Sequence, residues 1–241
     1  MPTILITGAA SGLGAAFLSA YQSQPSTKIL ALDINIIRTT YPNIHPYTID
    51  LTNEQSVLSF AASLSHEPID LLLHSAGIRG LVPALEDQHP NDVAACETLA
   101  VMDLETMTRT FQVNTVATFS LLRALLPNLQ LAPQPKVIVM SSRMGSLGNN
   151  EVGKAAAGSA YAYRASKAAV NMVVRSFAVD VPGVVWVLCH PGRVETGLVR
   201  GREEGAIEAW EAVEGMVPLI ERWGESDSGK YYDRFGEVIP W

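Results

Sequence analysis

Short runs of β-branched and other apolar residues alternate with longer stretches of helical spacing along the whole chain. The short runs predict strands at residues 3–7, 28–33, 44–50, 69–77, 136–142, 184–192 and 230–233. The longer stretches predict helices at residues 13–23, 54–64, 104–126, 161–181 and 203–223. This alternation implies a doubly wound α/β fold, in which a mostly seven-stranded parallel sheet carries helices on both faces. We find no internal repeat or linker and predict one domain over residues 1–241.

Prolines mark the predicted helix ends. The helix over 104–126 is expected to stop near Pro127, and the helix over 161–181 at the Pro-Gly pair that follows it. Two segments predict loops beside a site. Residues 79–103 hold two prolines and mixed polarity, and residues 143–160 are rich in glycine and asparagine.

Composition excludes several classes of function. Apolar residues make up 48% of the 241 residues, which suffices for a full core. A net charge of −7 without any basic block predicts neither a nucleic-acid partner nor an anionic membrane partner. No apolar run reaches the roughly 20 residues of a membrane span, and no leader precedes the first strand, so the predicted location is cytoplasmic. Cys96 and Cys189 are predicted to be reduced and buried.

The first strand runs directly into a glycine-rich loop, TGAASGLG. Gly8 permits a tight turn, Gly12 lets a phosphate approach the backbone, and Gly14 lets the next helix pack on the strand. The start of that helix, with Ser11 and Leu13, would meet the phosphates of a dinucleotide. An ordinary strand-to-helix turn is the alternative.

Asp33 ends the second predicted strand, about 20 residues after the glycine loop. A carboxylate there accepts hydrogen bonds from the adenosine ribose and repels a 2′-phosphate. No lysine or arginine follows it before Arg38, so the sequence favours NAD(H), with NADP(H) possible. In the alternative interpretation, Asp33 only caps a following helix.

The motif YRASK places Tyr163 and Lys167 four residues apart, on one face of a helix. A pair of this kind also arises by chance as a solvated helix pair. The order of features favours function, because the motif follows a glycine loop, an acid, Asn114 and a serine pair, and precedes a Pro-Gly turn.

Taken together, these motifs resemble the short-chain dehydrogenase/reductase family along essentially the whole chain. They are TGAASGLG, DLT at 50–52, HSAG at 74–77, Asn114 in FQVN, SS at 141–142, YRASK and HPGRVET at 190–196. Within that family the chain is similar to the C-factor/sniffer-like carbonyl reductases, through MSSRMGSLG, YAYRASKAAVN, HPGRVET and the ending SGKYYDRFGEVIPW. The resemblance implies a Rossmann fold and an NAD(P)-dependent oxidoreductase.

The resemblance also implies the catalytic roles. Tyr163 would be the general acid/base, with its phenol pKa lowered by Lys167 and the oxidised nicotinamide. Ser142 would hydrogen-bond the substrate oxygen, and Lys167 would also bind the nicotinamide ribose. Asn114 would hold a water that links Lys167 to solvent. In the alternative interpretation the serines close a strand and Asn114 kinks a helix.

Further cofactor contacts follow from the same resemblance. Asp50 and Leu51 would border the adenine, and Ala76 and Gly77 would pass beneath the ribose and diphosphate. The remaining contacts lie at the nicotinamide end of the site. They are made by Pro191 and Gly192, which turn the chain, and by Val194 and Thr196, which would grip the carboxamide.

Three features depart from the family pattern. His74 stands where an asparagine is common, and we interpret it as a hydrogen-bonded residue at a strand end rather than a catalyst. Arg193 either faces an acidic substrate or is a solvated loop charge. Residues 89–103 look inserted, with no assigned role. The histidines show no metal-ligand spacing, so no metal is predicted.

The expected function is hydride transfer between nicotinamide and a carbonyl or secondary alcohol. A silent NAD(P)-binding sensor or scaffold is the second hypothesis, and a dehydratase or cyclase on the same site is the third. Substrate contacts are expected from residues 79–103, 143–160 and 193–205, with a small, open lid after Thr196. The partners are expected to be a small organic substrate and further copies of the chain, in a homodimer or homotetramer.

Overall fold

The computed structural model describes residues 1–154 and 157–241, and confirms the predicted α/β fold. Seven strands form one sheet in the order β3-β2-β1-β4-β5-β6-β7, and every neighbouring pair is parallel. The strands are β1 Thr3–Thr7, β2 Lys28–Asp33, β3 Ile44–Thr48, β4 Leu71–His74, β5 Lys136–Met140, β6 Val185–His190 and β7 Lys230–Asp233. Residues 155 and 156, within the predicted loop 143–160, lie outside this description.

Helices cover both faces of the sheet. They are α1 Gly12–Tyr21, α2 Glu54–Ser63, α3 Pro83–Gln88, α4 Leu104–Phe111, α5 Ala117–Gln130, α6 Tyr161–Asp180 and α7 Ala209–Arg222. Successive strand residues point to opposite faces, so Ile4 and Ile6 pack with α1 and α7, and Leu5 packs with α2, α5 and α6. Burial on both faces explains why the strands read as continuous apolar runs.

The predicted end of the long central helix is wrong. The helix does not stop before Pro127 but continues through it to the end of α5. Proline removes one backbone hydrogen bond, and long-range contacts offset that loss. Asn128 Nδ2 donates to the Glu67 carbonyl oxygen at 2.8 Å, and Leu129 is fully buried in the core.

Two further differences from the predictions concern segments expected to contact the substrate. The helix predicted from residue 203 begins only at α7, because Ile207 forms a parallel bridge with Val194 and Gly205 has a φ of +72°. The segment after Thr196 is therefore longer than the predicted lid. The predicted loop 79–103 contains α3, which has a proline in its first turn, where no backbone hydrogen bond is lost.

The remaining predictions concern membrane-spanning helices, metal-ligand clusters and cysteines. None of its helices is long and apolar enough to cross a membrane, and no group of three or more metal-ligating side chains occurs in it. Cys96 and Cys189 are both buried free thiols, as predicted.

Candidate active site

The carboxyl ends of β1, β2 and β4 meet at one edge of the sheet, where a cleft opens. Its cavity of about 350 Å³ is lined by residues of the glycine loop, the end of β2 and the turns after β3 and β4. The structure thereby brings together the predicted adenosine and diphosphate contacts, which are Gly8, Ser11, Gly12, Leu13, Gly14, Asp33, Asp50, Leu51, Ala76 and Gly77.

The glycine loop depends on the absence of side chains. Gly8 and Gly12 have φ values of +67° and +52°, which disfavour other residues. A Cβ at Gly8 would lie 3.0 Å from the Ala76 nitrogen, and one at Gly12 would lie 3.0 Å from the Thr196 side chain. The loop therefore adopts a conformation that keeps its backbone exposed to the cleft.

The N-terminus of α1 faces this cleft without a cap. The Ser11 side chain makes no capping hydrogen bond, and the first turn of α1 contains no acidic residue. The first N–H groups of a helix have no partner within the helix, and they carry partial positive charge. Together with the bare backbone of the loop, they fit the pyrophosphate of a dinucleotide.

Asp33 lies at the adenosine end of the cleft and also holds the glycine loop. Its Oδ2 accepts a hydrogen bond from the Ala10 nitrogen at 3.0 Å, and its Oδ1 accepts one from the Asn35 nitrogen at 2.8 Å. No helix starts between β2 and β3, so the alternative that Asp33 caps a helix is wrong. Asp50 also lines the cleft and accepts two hydrogen bonds from Thr52.

His74 sits in a buried hydrogen-bond chain whose direction the geometry fixes. Thr118 Oγ1 donates to the Asn114 carbonyl oxygen at 2.9 Å, so it accepts from His74 Nε2 at 2.8 Å. Thr7 Oγ1 accepts from the main-chain nitrogens of the two residues after His74, so it donates to His74 Nδ1 at 2.9 Å. The imidazole is neutral and structural, which confirms its interpretation as a hydrogen-bonded residue at a strand end.

Acid is expected to destabilise the protein through His74. Burial lowers its pKa from 6.5 to about 3, so the unfolded chain binds a proton below pH 6.5 that the folded chain does not. Stability is thus complete above pH 6.5 and falls as the pH drops towards 3, by about 2 kcal/mol between pH 7 and 5. Urea unfolding of the protein and of His74→Asn at pH 7, 6 and 5 measures this. His190 titrates in both proteins, so parallel curves would contradict the prediction.

Ser142, Tyr163 and Lys167 converge on a second cavity of about 70 Å³ beside the cleft. The Ser142 hydroxyl is close enough to Tyr163 to lower the pKa of its phenol. Lys167 Nζ donates to the Met140 carbonyl oxygen at 2.9 Å and lies 5.7 Å from the centre of the Tyr163 ring. The i, i+4 spacing on α6 and the end of β5 thus assemble the three groups, as the motif order predicts.

Ser141 also lines this cavity, but its hydroxyl is used elsewhere. Ser141 Oγ donates to Asn171 Oδ1 at 2.5 Å, inside the helix–sheet interface. Of the two serines, Ser142 is the one whose hydroxyl lowers the pKa of Tyr163.

Burial dominates the protonation of both catalytic candidates. It lowers the pKa of Lys167 from 10.5 to about 8. It also raises the pKa of Tyr163 above its ordinary value, against the opposing effects of Arg79 and the Ser142 hydroxyl. Among the protein's own groups, therefore, the lowered Tyr163 pKa that we expected is not found.

Asn114 lies in a π-helical turn, Gln112–Val116, between α4 and α5. Its Oδ1 accepts from the Ile78 nitrogen at 2.9 Å, and its Nδ2 donates to the Ile78 carbonyl oxygen at 2.9 Å and to Ser166 Oγ at 3.0 Å. A Cβ at Gly77 would lie 3.0 Å from this Oδ1 and 3.7 Å from Lys167 Nζ. Asn114 thus lies within a helix irregularity and also close to Lys167.

The HPGRVET segment borders both cavities. Pro191, Gly192 and Val194 line the smaller one, and Thr196 lines both. In the bridge to Ile207, the Glu195 nitrogen donates to the Ile207 carbonyl oxygen and the Ile207 nitrogen donates to the Arg193 carbonyl oxygen. The N–H and C=O of Val194 therefore point away from Ile207.

Arg193 does not line either cavity. Its side chain is exposed, and its guanidinium donates to the Glu204 carbonyl oxygen at 2.8 Å. Of the two interpretations of this residue, the structure supports the solvated loop charge.

Sequence reasoning missed Arg79 and Glu97. Arg79 Cζ lies 5.0 Å from the centre of the Tyr163 ring, and both charged side chains are largely buried. The available signals were an arginine two residues after the HSAG motif and three acidic residues in the unassigned stretch 89–103, of which Glu97 is one. Neither signal identifies the other residue as its partner.

Comparisons with known proteins agree with this geometry. The sequence model described as short chain dehydrogenase matches residues 2–206. C-signal from Myxococcus xanthus is 36% identical over 185 residues, which cover 76% of this chain and 99% of that protein. NADPH-bound carbonyl reductase from chicken fatty liver superimposes with a TM-score of 0.82 at 26% identity, over 100% and 99% of the two chains. Carbonyl reductase Sniffer of D. melanogaster gives 0.80 at 26% identity, over 100% of both chains.

Proposed function

Because the chain belongs to the short-chain dehydrogenase/reductase family of NAD(P)-dependent oxidoreductases, we propose that it interconverts a carbonyl and a secondary alcohol of a small organic substrate. The observation that carries the proposal is the convergence of Ser142, Tyr163 and Lys167 on one cavity beside the dinucleotide cleft. A bound nicotinamide would supply or accept the hydride there.

We propose that Tyr163 is the general acid/base. In reduction its hydroxyl gives a proton to the carbonyl oxygen, and in oxidation its phenolate takes one from the alcohol. Ser142 lines the same cavity as Tyr163 and would donate to the same substrate oxygen as negative charge develops on it.

Lys167 supplies positive charge and a route for the proton. A buried ammonium with a pKa of about 8 is easily deprotonated, which suits it to restore the proton of Tyr163. Both Nδ2 hydrogens of Asn114 are donated and its Oδ1 already accepts from the Ile78 nitrogen, so we place the proposed water at the second lone pair of the Asn114 main-chain carbonyl oxygen. That carbonyl already accepts from Thr118.

We propose that the cofactor is NAD(H). The adenosine end of the cleft carries two carboxylates, Asp33 and Asp50, and the one cation among the described residues lining the cavity is Arg109 on α4. A 2′-phosphate near Asp33 would meet like charge, which disfavours NADP(H). The NADPH-bound carbonyl reductase from chicken makes NADP(H) the alternative.

Asp33→Asn is expected to change the ratio of NADPH to NADH affinity at least about tenfold in favour of NADPH, because it removes the like charge and keeps an oxygen acceptor. Fluorescence titration with both cofactors measures the ratio. Asp180→Asn is the matched control, because this exposed carboxylate ends α6 at the opposite edge of the sheet. An unchanged ratio in Asp33→Asn would contradict the assignment of Asp33.

Contacts between the three loops support their proposed role in binding substrate. Arg200 pairs with Asp87 at 2.6 Å, which joins residues 193–205 to residues 79–103. The Glu97 carbonyl oxygen accepts from the Ala160 nitrogen at 2.9 Å, which joins residues 79–103 to residues 143–160. We propose that these segments form the substrate pocket.

The proposed function is tested by hydride transfer. Purified protein is incubated with NADH deuterated at the nicotinamide C4 position and a panel of ketones and aldehydes, and the alcohol products are analysed by mass spectrometry. Deuterium on the product carbon supports the proposal. Cofactor binding without any product would favour a sensor or scaffold, and a substrate change without cofactor oxidation would favour a dehydratase or cyclase.

A further inference from the structure

Arg79 and Glu97 form a buried ion pair beside the proposed catalytic centre. Arg79 Nε lies 2.8 Å from Glu97 Oε2, and Nη2 lies 2.9 Å from Oε1, so the pair is bidentate. The two side chains are only 14% and 8% exposed. Removing two charges from water costs free energy unless they are held in close hydrogen-bonded contact. The fold itself shows no need for an ion pair at this position.

The guanidinium is oriented towards Tyr163. Glu97 occupies the Nε and Nη2 edge, and Nη1 contacts Met144 Sδ at 3.3 Å. The Arg79 Cζ atom is 5.0 Å from the ring centre of Tyr163, nearer than Lys167 Nζ at 5.7 Å. The charge of Arg79 also acts on the phenol itself and lowers its pKa, as a cation near a buried phenolate does.

Glu97 also fixes the helix that carries Tyr163. Its carbonyl oxygen accepts from the Ala160 nitrogen at 2.9 Å and from Ser159 Oγ at 3.1 Å. Ser159 and Ala160 adopt left-handed φ values of 53° and 47° directly before α6, a conformation that costs energy without such restraints. Residues 89–103, which had no assigned role, thus hold both the cation and the start of α6.

We propose that Arg79, held in place by Glu97, is a positioning residue that stabilises the phenolate form of Tyr163 and thereby tunes its acid/base chemistry. This inference rests on the proposed function, in which Tyr163 transfers the proton. It assigns the stretch 89–103 a specific role, which is to supply the carboxylate that orients Arg79.

The charges around Tyr163 support the direction of the effect. Arg79 is the largest influence that lowers the pKa of Tyr163, ahead of the Ser142 hydroxyl. Glu203 and Glu97 raise that pKa by smaller amounts than burial does. Lys167 on α6 and Tyr231 on β7 also face the ring, and His190 lines the same cavity. Arg79 therefore partly offsets burial, which still holds the pKa of Tyr163 above its ordinary value.

The test follows the Tyr163 phenol directly. The full-length protein is labelled with 3-fluorotyrosine, and the Tyr163 signal is identified by its absence in Tyr163→Phe and titrated by fluorine NMR. In Arg79→Gln, the fraction of Tyr163 that is phenolate at a given pH below the titration midpoint is expected to fall about tenfold or more. A shift of this size follows from the loss of one nearby opposite charge. Arg79→Lys keeps the charge, so its Tyr163 titration is expected to lie between those of the original protein and Arg79→Gln.

Arg123→Gln is the matched control. Arg123 also pairs with a glutamate, Glu54, and its Cζ lies 5.3 Å from the centre of the Phe119 ring, but the pair is more than half exposed and lines neither site cavity. It is expected to leave the Tyr163 titration unchanged. The double variant Arg79→Gln/Glu97→Gln removes both buried charges and serves if Arg79→Gln does not fold.

The inference and the proposed function fail in different ways. An unchanged phenol titration in Arg79→Gln, or in the double variant, overturns the inference whatever the activity. A displaced titration supports it, and a matching displacement of the pH profile of alcohol oxidation towards higher pH then supports Tyr163 as the base. A displaced titration with an unmoved pH profile supports the Arg79 effect and contradicts the role of Tyr163 in catalysis.

Discussion

Tyr163→Phe is expected to lower kcat for carbonyl reduction by at least about 1,000-fold, while NADH affinity stays within about threefold of the original. General acid–base catalysis contributes roughly 100- to 10,000-fold, and phenylalanine has no proton to give. The ring itself is 7% exposed and packs without a cavity in the variant, so the fold and the cleft should persist. Steady-state kinetics and a parallel NADH titration measure the two quantities separately.

Tyr161→Phe is the matched control for this result. Tyr161 is the first residue of α6, two positions before Tyr163, and its side chain is 40% exposed outside both site cavities. Loss of its hydroxyl is expected to leave kcat unchanged. Turnover by Tyr163→Phe within tenfold of the original protein would contradict the acid/base role and would favour another proton donor.

Gly14→Ala is expected to destabilise the protein by about 3 kcal/mol and to weaken NADH binding more than tenfold. The added Cβ would overlap the Gly8 carbonyl group, 2.5 Å from its carbon, and would lie 2.9 Å from the Thr7 carbonyl oxygen. These are backbone atoms of β1 and its loop, so no side-chain rotation can relieve the overlap, and α1 must move away from the strand. Urea unfolding and NADH titration measure the two effects.

Gly183→Ala provides the matched comparison. Gly183 lies in the exposed turn before β6, where an added Cβ would meet nothing within 4 Å. It is expected to change stability by less than about 0.5 kcal/mol, as surface substitutions usually do. Equal effects of the two substitutions would show that close packing of α1 against the glycine loop is not what holds the cleft together.

The sequence by itself determined the elements and the edge at which their functional ends meet. A strand that is buried on both faces is a continuous apolar run, which can be identified from its own residues alone. Parallel strands bring their carboxyl ends to one edge of the sheet. For that reason the sequence is enough to predict that the glycine loop, Asp33, His74 and the serine pair lie at the same edge of the sheet. The i, i+4 pair of Tyr163 and Lys167 is equally local, because helix geometry alone puts both on one face.

Only the tertiary structure decided where locally weak signals end and which buried charges meet. Pro127 breaks an isolated helix, but the long-range hydrogen bond of Asn128 to Glu67 holds the last turn of α5. Arg79 and Glu97 are separated by 18 positions and lie on irregular segments, so no periodicity links them. Their pairing beside Tyr163 arises because folding removes all three from water, and a buried charge is stable only when another group in the same place compensates it.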